Sequence, residues 1–201
     1  MPRFPVSSFV ALCALLAPLS AAAAPRCDWN SIAADTDRAT VTASVRDLQQ
    51  AIAPRYEEAD LETGAALARG LLQRAQTPQT PGKLEGHWKV RSIQVDRGFA
   101  YAYPYFKAEI GADPCGYRLS KTSGSQRRSG TLYPLASGSP AFAFLGASTV
   151  NDEPQGRYAP GNVSDGTHGN SVGRLVALGP DELLLILDGN ADGFELYQLI
   201  R

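Results

Sequence analysis

The spacing of apolar positions changes near Leu84, and with it the kind of structure the chain can build. Between Asp35 and Ala53, the apolar residues Val41, Val45, Leu48 and Ile52 recur at spacings of four, three and four, which aligns them on one face of a helix. Pro54 ends that helix, because proline lacks the N–H and clashes with the preceding turn. A second helix is predicted from about Asp60 to Arg74, with Leu61, Ala65, Ala68, Leu71 and Leu72 on its apolar side. Gly64 and Gly70 oppose it, since glycine costs about 1 kcal/mol in a helix interior. Thr77 to Lys83, with two prolines and a glycine, has no period and reads as a connector.

Beyond Leu84, short runs of aromatic and β-branched residues are divided by Gly, Pro, Asn, Asp and Ser, the pattern of an antiparallel β domain. Strands are predicted at 87–95, 102–110, 116–122, 128–135, 141–148, 172–178, 182–187 and 193–200. Eight strands can close a small barrel, and closure removes the edges an open sheet must protect. A two-sheet sandwich is the structural alternative. Polar breaks at Asp96 to Gly98, Ser123 to Ser125 and Leu178 to Asp181 suit tight hairpins, so the predicted order is up-and-down. In the second strand, alternation assigns Pro104, Phe106, Ala108 and Ile110 to the core, and Tyr103, Tyr105, Lys107 and Glu109 to the exposed face. The expected fold class is α+β, an N-terminal helical segment packed on a predominantly antiparallel barrel. One connection, Val150 to Ser171, is dense in Gly, Asn and Asp and has no apolar period. Connections of that length are commonly functional or disordered.

The N-terminus follows a different logic. Met1 to Ala24 carries Arg3, an apolar stretch from Phe9 to Leu19 and a run of alanines, the layout of a cleavable secretory signal. The apolar stretch is about half of the roughly twenty residues a spanning helix needs, and Pro18 interrupts it. The residues before Cys27 do not form a lipobox. Export followed by cleavage near Ala24 is therefore expected, with residues 25–83 as helical segment and linker, residues 84–201 as the β domain, and no transmembrane segment in the mature chain. Cleavage lowers Lys+Arg from 19 to 18 against 20 Asp+Glu, and so slight an acidity argues against a nucleic-acid partner. It also removes Cys13, leaving Cys27 and Cys115, which in an exported chain are expected to form a disulfide.

Several phrases of the β half are familiar in combination: GHWKVRSIQV from Gly86, YPYFKAEI from Tyr103, SGSQRRSGTLYP from Ser123 and AFLGA from Ala143. With Cys-Asp-Trp at Cys27 to Trp29 and the two helices that follow, they resemble the exported bacterial family called domain of unknown function 4893, over most of the mature chain. That resemblance implies export and this architecture. It implies no activity, cofactor or catalytic residue. Gly86-x-Trp88 at the head of an eight-stranded run is also similar to the opening of lipocalins and of small periplasmic inhibitors of metalloproteases. This likeness implies a lipocalin-like barrel, with the tryptophan plugging one end and the glycine admitting a neighbouring segment. The cross-barrel disulfide spacing of those inhibitors is not evident.

Candidate chemistry is sparse. His87 and His168 are the only histidines, so bases for nucleophilic catalysis are few. His168 and Asp165 could form a weak metal pair, but zinc needs three or four ligands, and no metal, cofactor or catalytic residue is nominated. Asp188 to Gly193 matches the front of a calcium loop, yet Leu199 at its twelfth position cannot supply the bidentate carboxylate. The segment reads instead as a polar hairpin. Arg118, Lys121, Arg127 and Arg128 surround the Ser123 to Ser125 turn and could hold an anion, and Tyr103, Tyr105 and Lys107 form an exposed row beside them. These seven residues are the candidate ligand site. The function expected is that of a periplasmic, non-enzymatic binding or interaction protein for a protein, a glycan or a small anionic ligand. The alternatives are a hydrolase or transferase using Asp152, Glu153 and Asp165, and a protease inhibitor that inserts its N-terminal segment.

Overall fold

A computed structural model describes residues 26–43, 45–46, 49, 62–96, 99–165, 167–187 and 193–201. The signal-like segment, Pro54, the tip of the Asp96 to Gly98 hairpin and the calcium-like Asp188 to Asp192 lie outside the described residues.

The N-terminal part contains α1 (Trp29–Ile32), α2 (Asp35–Thr42) and α3 (Glu62–Ala75). The Asp28 carboxylate caps α1 by accepting from the Asn30 N–H at 3.1 Å, and Asp35 and Asp37 put negative charge at the favourable end of α2. The first predicted helix is interrupted, because Ala43 leaves helical backbone (φ −51°, ψ 137°), and helical backbone recurs at Val45, Arg46 and Gln49. Thr40, Val41 and Thr42 are all β-branched, and the two threonine hydroxyls bond back to the carbonyls of Thr36 and Arg38, a local competition that weakens helices.

The β domain consists of β1 (Gly86–Asp96), β2 (Phe99–Ala102), β3 (Phe106–Asp113), β4 (Gly116–Lys121), β5 (Gln126–Pro134), β6 (Ala141–Val150), β7 (Gly169–Gly179), β8 (Glu182–Leu187) and β9 (Gly193–Ile200). The predicted strand at 102–110 is broken in two. Tyr103, Pro104 and Tyr105 leave the ladder, where proline has no N–H to contribute, and Pro104 is exposed instead of joining the core. Both pieces pair with the same edge of β1: Ile93 lies opposite Ala102, and Val90 opposite Phe106. The other edge of β1 pairs with β9 from Lys89↔Ile200 to Asp96↔Gly193. Sequential antiparallel pairing joins the remaining strands, so the sheet closes as an eight-stranded up-and-down barrel with β2 and β3 sharing one strand position. The sandwich alternative is excluded by that closure.

Alternation sends one face of every strand into the barrel. Trp88, Val90, Ile110, Leu119, Leu132, Phe144, Leu175, Leu185 and Leu199 fill it, as the lumen of a barrel of this size permits. The outer face is also apolar where helices cover it. α3 packs on Ile93, Val95, Leu184, Ile186 and Leu196, while Trp29 and Val41 pack on Ala143, Leu145 and Val172. The unbroken apolar runs of β6 and β8 follow from this double burial. No described helix is long and apolar enough to cross a membrane.

Two closures matter for what lies between them. At one end Trp88 is buried, its indole Nε1 donating to the Leu84 carbonyl at 2.8 Å, and the Arg201 guanidinium lies 4.2 Å from the ring centroid. Trp88 thus plugs the barrel as anticipated, whereas Gly86 serves another purpose. Its φ of +127° demands glycine, and the nearest outside atom to its missing Cβ is the tip of Arg201 at 3.7 Å, not a packed segment. At the same end Cys27 is bonded to Cys115 in the β3–β4 turn, across a sequence separation of 88.

Midway along the lumen, Gly130 and Gly146 face each other across β5 and β6, and the Phe144 ring folds over both. A Cβ on Gly146 would meet the Ser129 carbonyl oxygen at 2.4 Å and the Phe144 ring at 2.6 Å. Gly146→Ala is therefore expected to lower stability by roughly 1–3 kcal/mol through overpacking. Urea unfolding measures this, and an unchanged midpoint would mean that β5 and β6 separate at little cost.

Candidate functional site at the barrel mouth

The end opposite Trp88 is polar inside. Lys121 continues the inward row of Leu119 on β4, Arg128 that of Gly130 and Leu132 on β5, and Glu195 that of Tyr197 and Leu199 on β9. Closure of the barrel brings these three strands around one space. Glu195 is 8% exposed and Lys121 5%, and such residues are rarely so buried unless paired.

Glu195 is the hub. One carboxylate oxygen lies 2.5 Å from the Arg128 guanidinium, and the other accepts from the Ser92 hydroxyl at 2.5 Å. Arg128 also donates to the Ser171 hydroxyl at 3.0 Å and to the Tyr197 phenol oxygen at 2.8 Å. Burial holds the Tyr197 phenol well above its ordinary range, so it stays neutral at any physiological pH. Lys121 is held differently. Its ammonium donates to the Gln126 carbonyl at 2.5 Å and sits 4.7 Å from the Phe106 ring centroid. Among the described residues no carboxylate comes within ion-pair distance of it. Burial pulls its pKa down to about 8, an effect that the more distant Glu195 opposes and the charges of Arg128 and Arg127 reinforce.

Above Lys121 is a cavity of about 50 Å³, lined by Ser92, Gln94, Phe106, Ser125 and Glu195 and rimmed by Tyr103. The Tyr103 hydroxyl donates to Gln94 at 3.2 Å, and its ring meets Tyr101 edge-on, with centroids 4.7 Å apart. Both rings remain substantially exposed.

The seven candidate residues are thus divided. Tyr103 and Lys121 share the cavity, with Arg128 beside it through Glu195. Arg127 is on the rim, donating to the Gly124 carbonyl and pairing with Asp152 at 3.2 Å. The remaining three point elsewhere. Arg118 lies on the outside against Gln155. Tyr105 is also outside, under the Arg91 guanidinium and donating to Gln198, and Lys107 lines an outer groove. Sequence reasoning missed Glu195, Ser92, Gln94 and Phe106. The signal for Glu195 was present, a carboxylate on the same strand face as Tyr197 and Leu199.

The long connection is ordered around its outer anchors. Gln155 accepts from Arg118 and Ser120, and the Ser129 hydroxyl donates to the Gly156 carbonyl. Asn170 exchanges hydrogen bonds with the backbone of Ala159. The Tyr158 hydroxyl takes the N–H of Ala34 at 2.9 Å and donates to Asp37 at 2.5 Å, with burial and the aspartate pushing its pKa up to about 12. The segment is a strap that ties α2 to the barrel wall. Its carboxylates are engaged: Glu153 accepts from the Val150 N–H and contacts His168 Nε2 at 3.0 Å. Asp165 caps a turn, where the His168 and Thr167 donors pull its pKa down to about 2. Among the described residues, no group of three His, Cys, Asp or Glu side chains is placed to hold a metal.

Fold and site together define a helix-buttressed, closed antiparallel β-barrel with an ionised cluster beneath one mouth. The chain belongs to the family described as Domain of unknown function (DUF4893), whose model matches residues 29–196. No curated protein and no solved structure matches it.

Proposed function

We propose that this chain is exported to the periplasm and works there as a non-enzymatic binding protein, its barrel mouth taking the anionic head of a small ligand. The observation that carries the reading is the charge balance of the buried mouth: two cations, Lys121 and Arg128, against one carboxylate, Glu195. A carboxylate or phosphoryl oxygen above Lys121 would supply the missing charge and displace little, while Tyr101 and Tyr103 offer ring surface to the rest of the molecule. The filled lumen leaves no room for a large apolar guest, so only a head group would enter. Export is supported by the signal-like Met1 to Ala24 and by a disulfide, which persists in oxidising compartments.

The enzymatic alternative has less support, because Glu153 and Asp165 hold turns of the strap and Asp152 sits exposed on the rim against Arg127. Insertion of the N-terminus into a protease has less support too, because Cys27 ties that end to the barrel.

Titration of isotope-labelled mature protein with acetate, inorganic phosphate and benzoate, followed by NMR, tests the proposal. Resonances of Ser92, Phe106 and Lys121 are expected to move, and Lys121→Met to abolish the response. Because Lys121 loses its proton near pH 8 when the site is empty, affinity is expected to fall as pH rises through about 8, with proton uptake on binding just above that pH. Silence of those resonances toward all three anions would sink the reading.

A further inference from the structure

On the outer wall, away from the helices and independent of the mouth, β1 and β3 carry a second feature. Lys89 and Lys107 are direct cross-strand partners, and beside them His87 faces Glu109. All four side chains are exposed. Like charges directly opposed on neighbouring strands destabilise a sheet, and neither lysine has an ion-pair partner among the described residues. The two ammonium groups border a groove of about 720 Å³, within the usual volume of small-molecule sites. Glu109, Thr122, Ile200 and Arg201 also line it.

We propose that this groove binds a saccharide bearing one anionic group, with Lys89 and Lys107 clasping the anion together. The lysine pair, Glu109, Thr122 and Ile200 suit different parts of such a ligand. Cross-strand Cβ atoms stand about 5 Å apart, so two flexible lysine stems can converge on a single phosphoryl or carboxylate group. The Glu109 carboxylate accepts hydrogen bonds only, which suits it to paired sugar hydroxyls and sets it against a second anionic group. Thr122 adds a hydroxyl that both donates and accepts. The partly exposed Ile200 side chain presents an apolar patch to the C–H face of a sugar ring. A polyanion would be repelled by Glu109, and a neutral sugar would leave the lysine repulsion in place, so charge complementarity selects the singly substituted saccharide.

Glucose 6-phosphate is a suitable probe, with glucose and inorganic phosphate as controls that each carry half of the recognition. NMR titration of the mature protein is expected to move the resonances of Lys89, Lys107, Glu109 and Thr122. Affinity for the sugar phosphate should exceed that for either control by at least tenfold. The Lys89→Gln/Lys107→Gln pair should weaken binding tenfold or more. Glu109→Gln should weaken the sugar phosphate without weakening inorganic phosphate. These positions are exposed, so the variants retain the fold, which the unfolding midpoint verifies. Lys121→Met separates the two sites, because it should silence the mouth and leave the groove unchanged. Equal affinity for inorganic phosphate and the sugar phosphate overturns the proposal, as do perturbations confined to Ser92 and Phe106 or a lack of response.

Discussion

Removing the Cys27–Cys115 bond is expected to lower the unfolding free energy of the mature protein by about 4 to 5 kcal/mol. The bond closes a loop with a sequence separation of 88, and in the chain-entropy account a loop of that order constrains the unfolded chain by about this much. A single domain commonly has only 5–15 kcal/mol in hand, so the loss would be a large part of the total. Cys27→Ala/Cys115→Ala measured in urea is the cleanest test, with wild type under reductant as its companion. The two should agree, and the variant should not respond to reductant. The location gives a second expectation. The bond ties the segment before α1 to the β3–β4 turn, and Trp29, two residues on, packs against Ala143, Leu145 and Val172. Without the bond, amide exchange should therefore accelerate first in α1 and α2, ahead of the barrel strands. A variant as stable as wild type would show that strap and helix packing already hold the N-terminal segment.

Glu195→Ala should be nearly as damaging, at about 3 to 5 kcal/mol, the range for breaking a buried ion pair from one side. The reason is what remains rather than what is lost. Arg128 and Lys121 would share a desolvated space without an anion, and the Ser92 hydroxyl would lose its acceptor. Arg128→Met made on top of Glu195→Ala should cost much less than the sum of the two single changes, since it removes the stranded charge; a double-mutant cycle reads that coupling directly. Additive losses would mean that water, not Arg128, meets most of the carboxylate's needs. An anion at the mouth is also expected to recover part of the Glu195→Ala loss, because it would stand where the carboxylate charge is missing. This links the stability experiment to the binding proposal.

The helices and strands were legible where one local period dominated. The strands at 182–187 and 193–200 match β8 and β9 as drawn, and the apolar side expected of the second helix, Ala65, Ala68, Leu71 and Leu72, is buried against the sheet. Failures came where a local competitor outweighed the period. The threonines at 40 and 42 end α2 and interrupt the first predicted helix, which is helical again at Val45, Arg46 and Gln49. Pro104 interrupted a run whose alternation looked continuous, and so placed Tyr103 at the mouth and Tyr105 on the outer wall. For the candidate site, residue types were read correctly but their grouping was not. Lys121, Arg127 and Arg128 look like one basic hairpin in the sequence, yet alternation turns Lys121 and Arg128 inward and leaves Arg127 on the rim.

By itself the sequence determined the number of barrel strand positions, their order and the identity of the cysteine pair, because hydrophobic period, turn residues and the odd cysteine of the signal-like segment are all local facts. The tertiary structure alone decided that Lys121, Arg128 and Glu195 meet. They lie on β4, β5 and β9, and only the pairing of β1 with β9 brings the last strand round to complete the lumen. The charge balance at the mouth is a property of that closure, since a carboxylate distant in sequence neutralises one of two neighbouring cations and leaves the other facing the cavity.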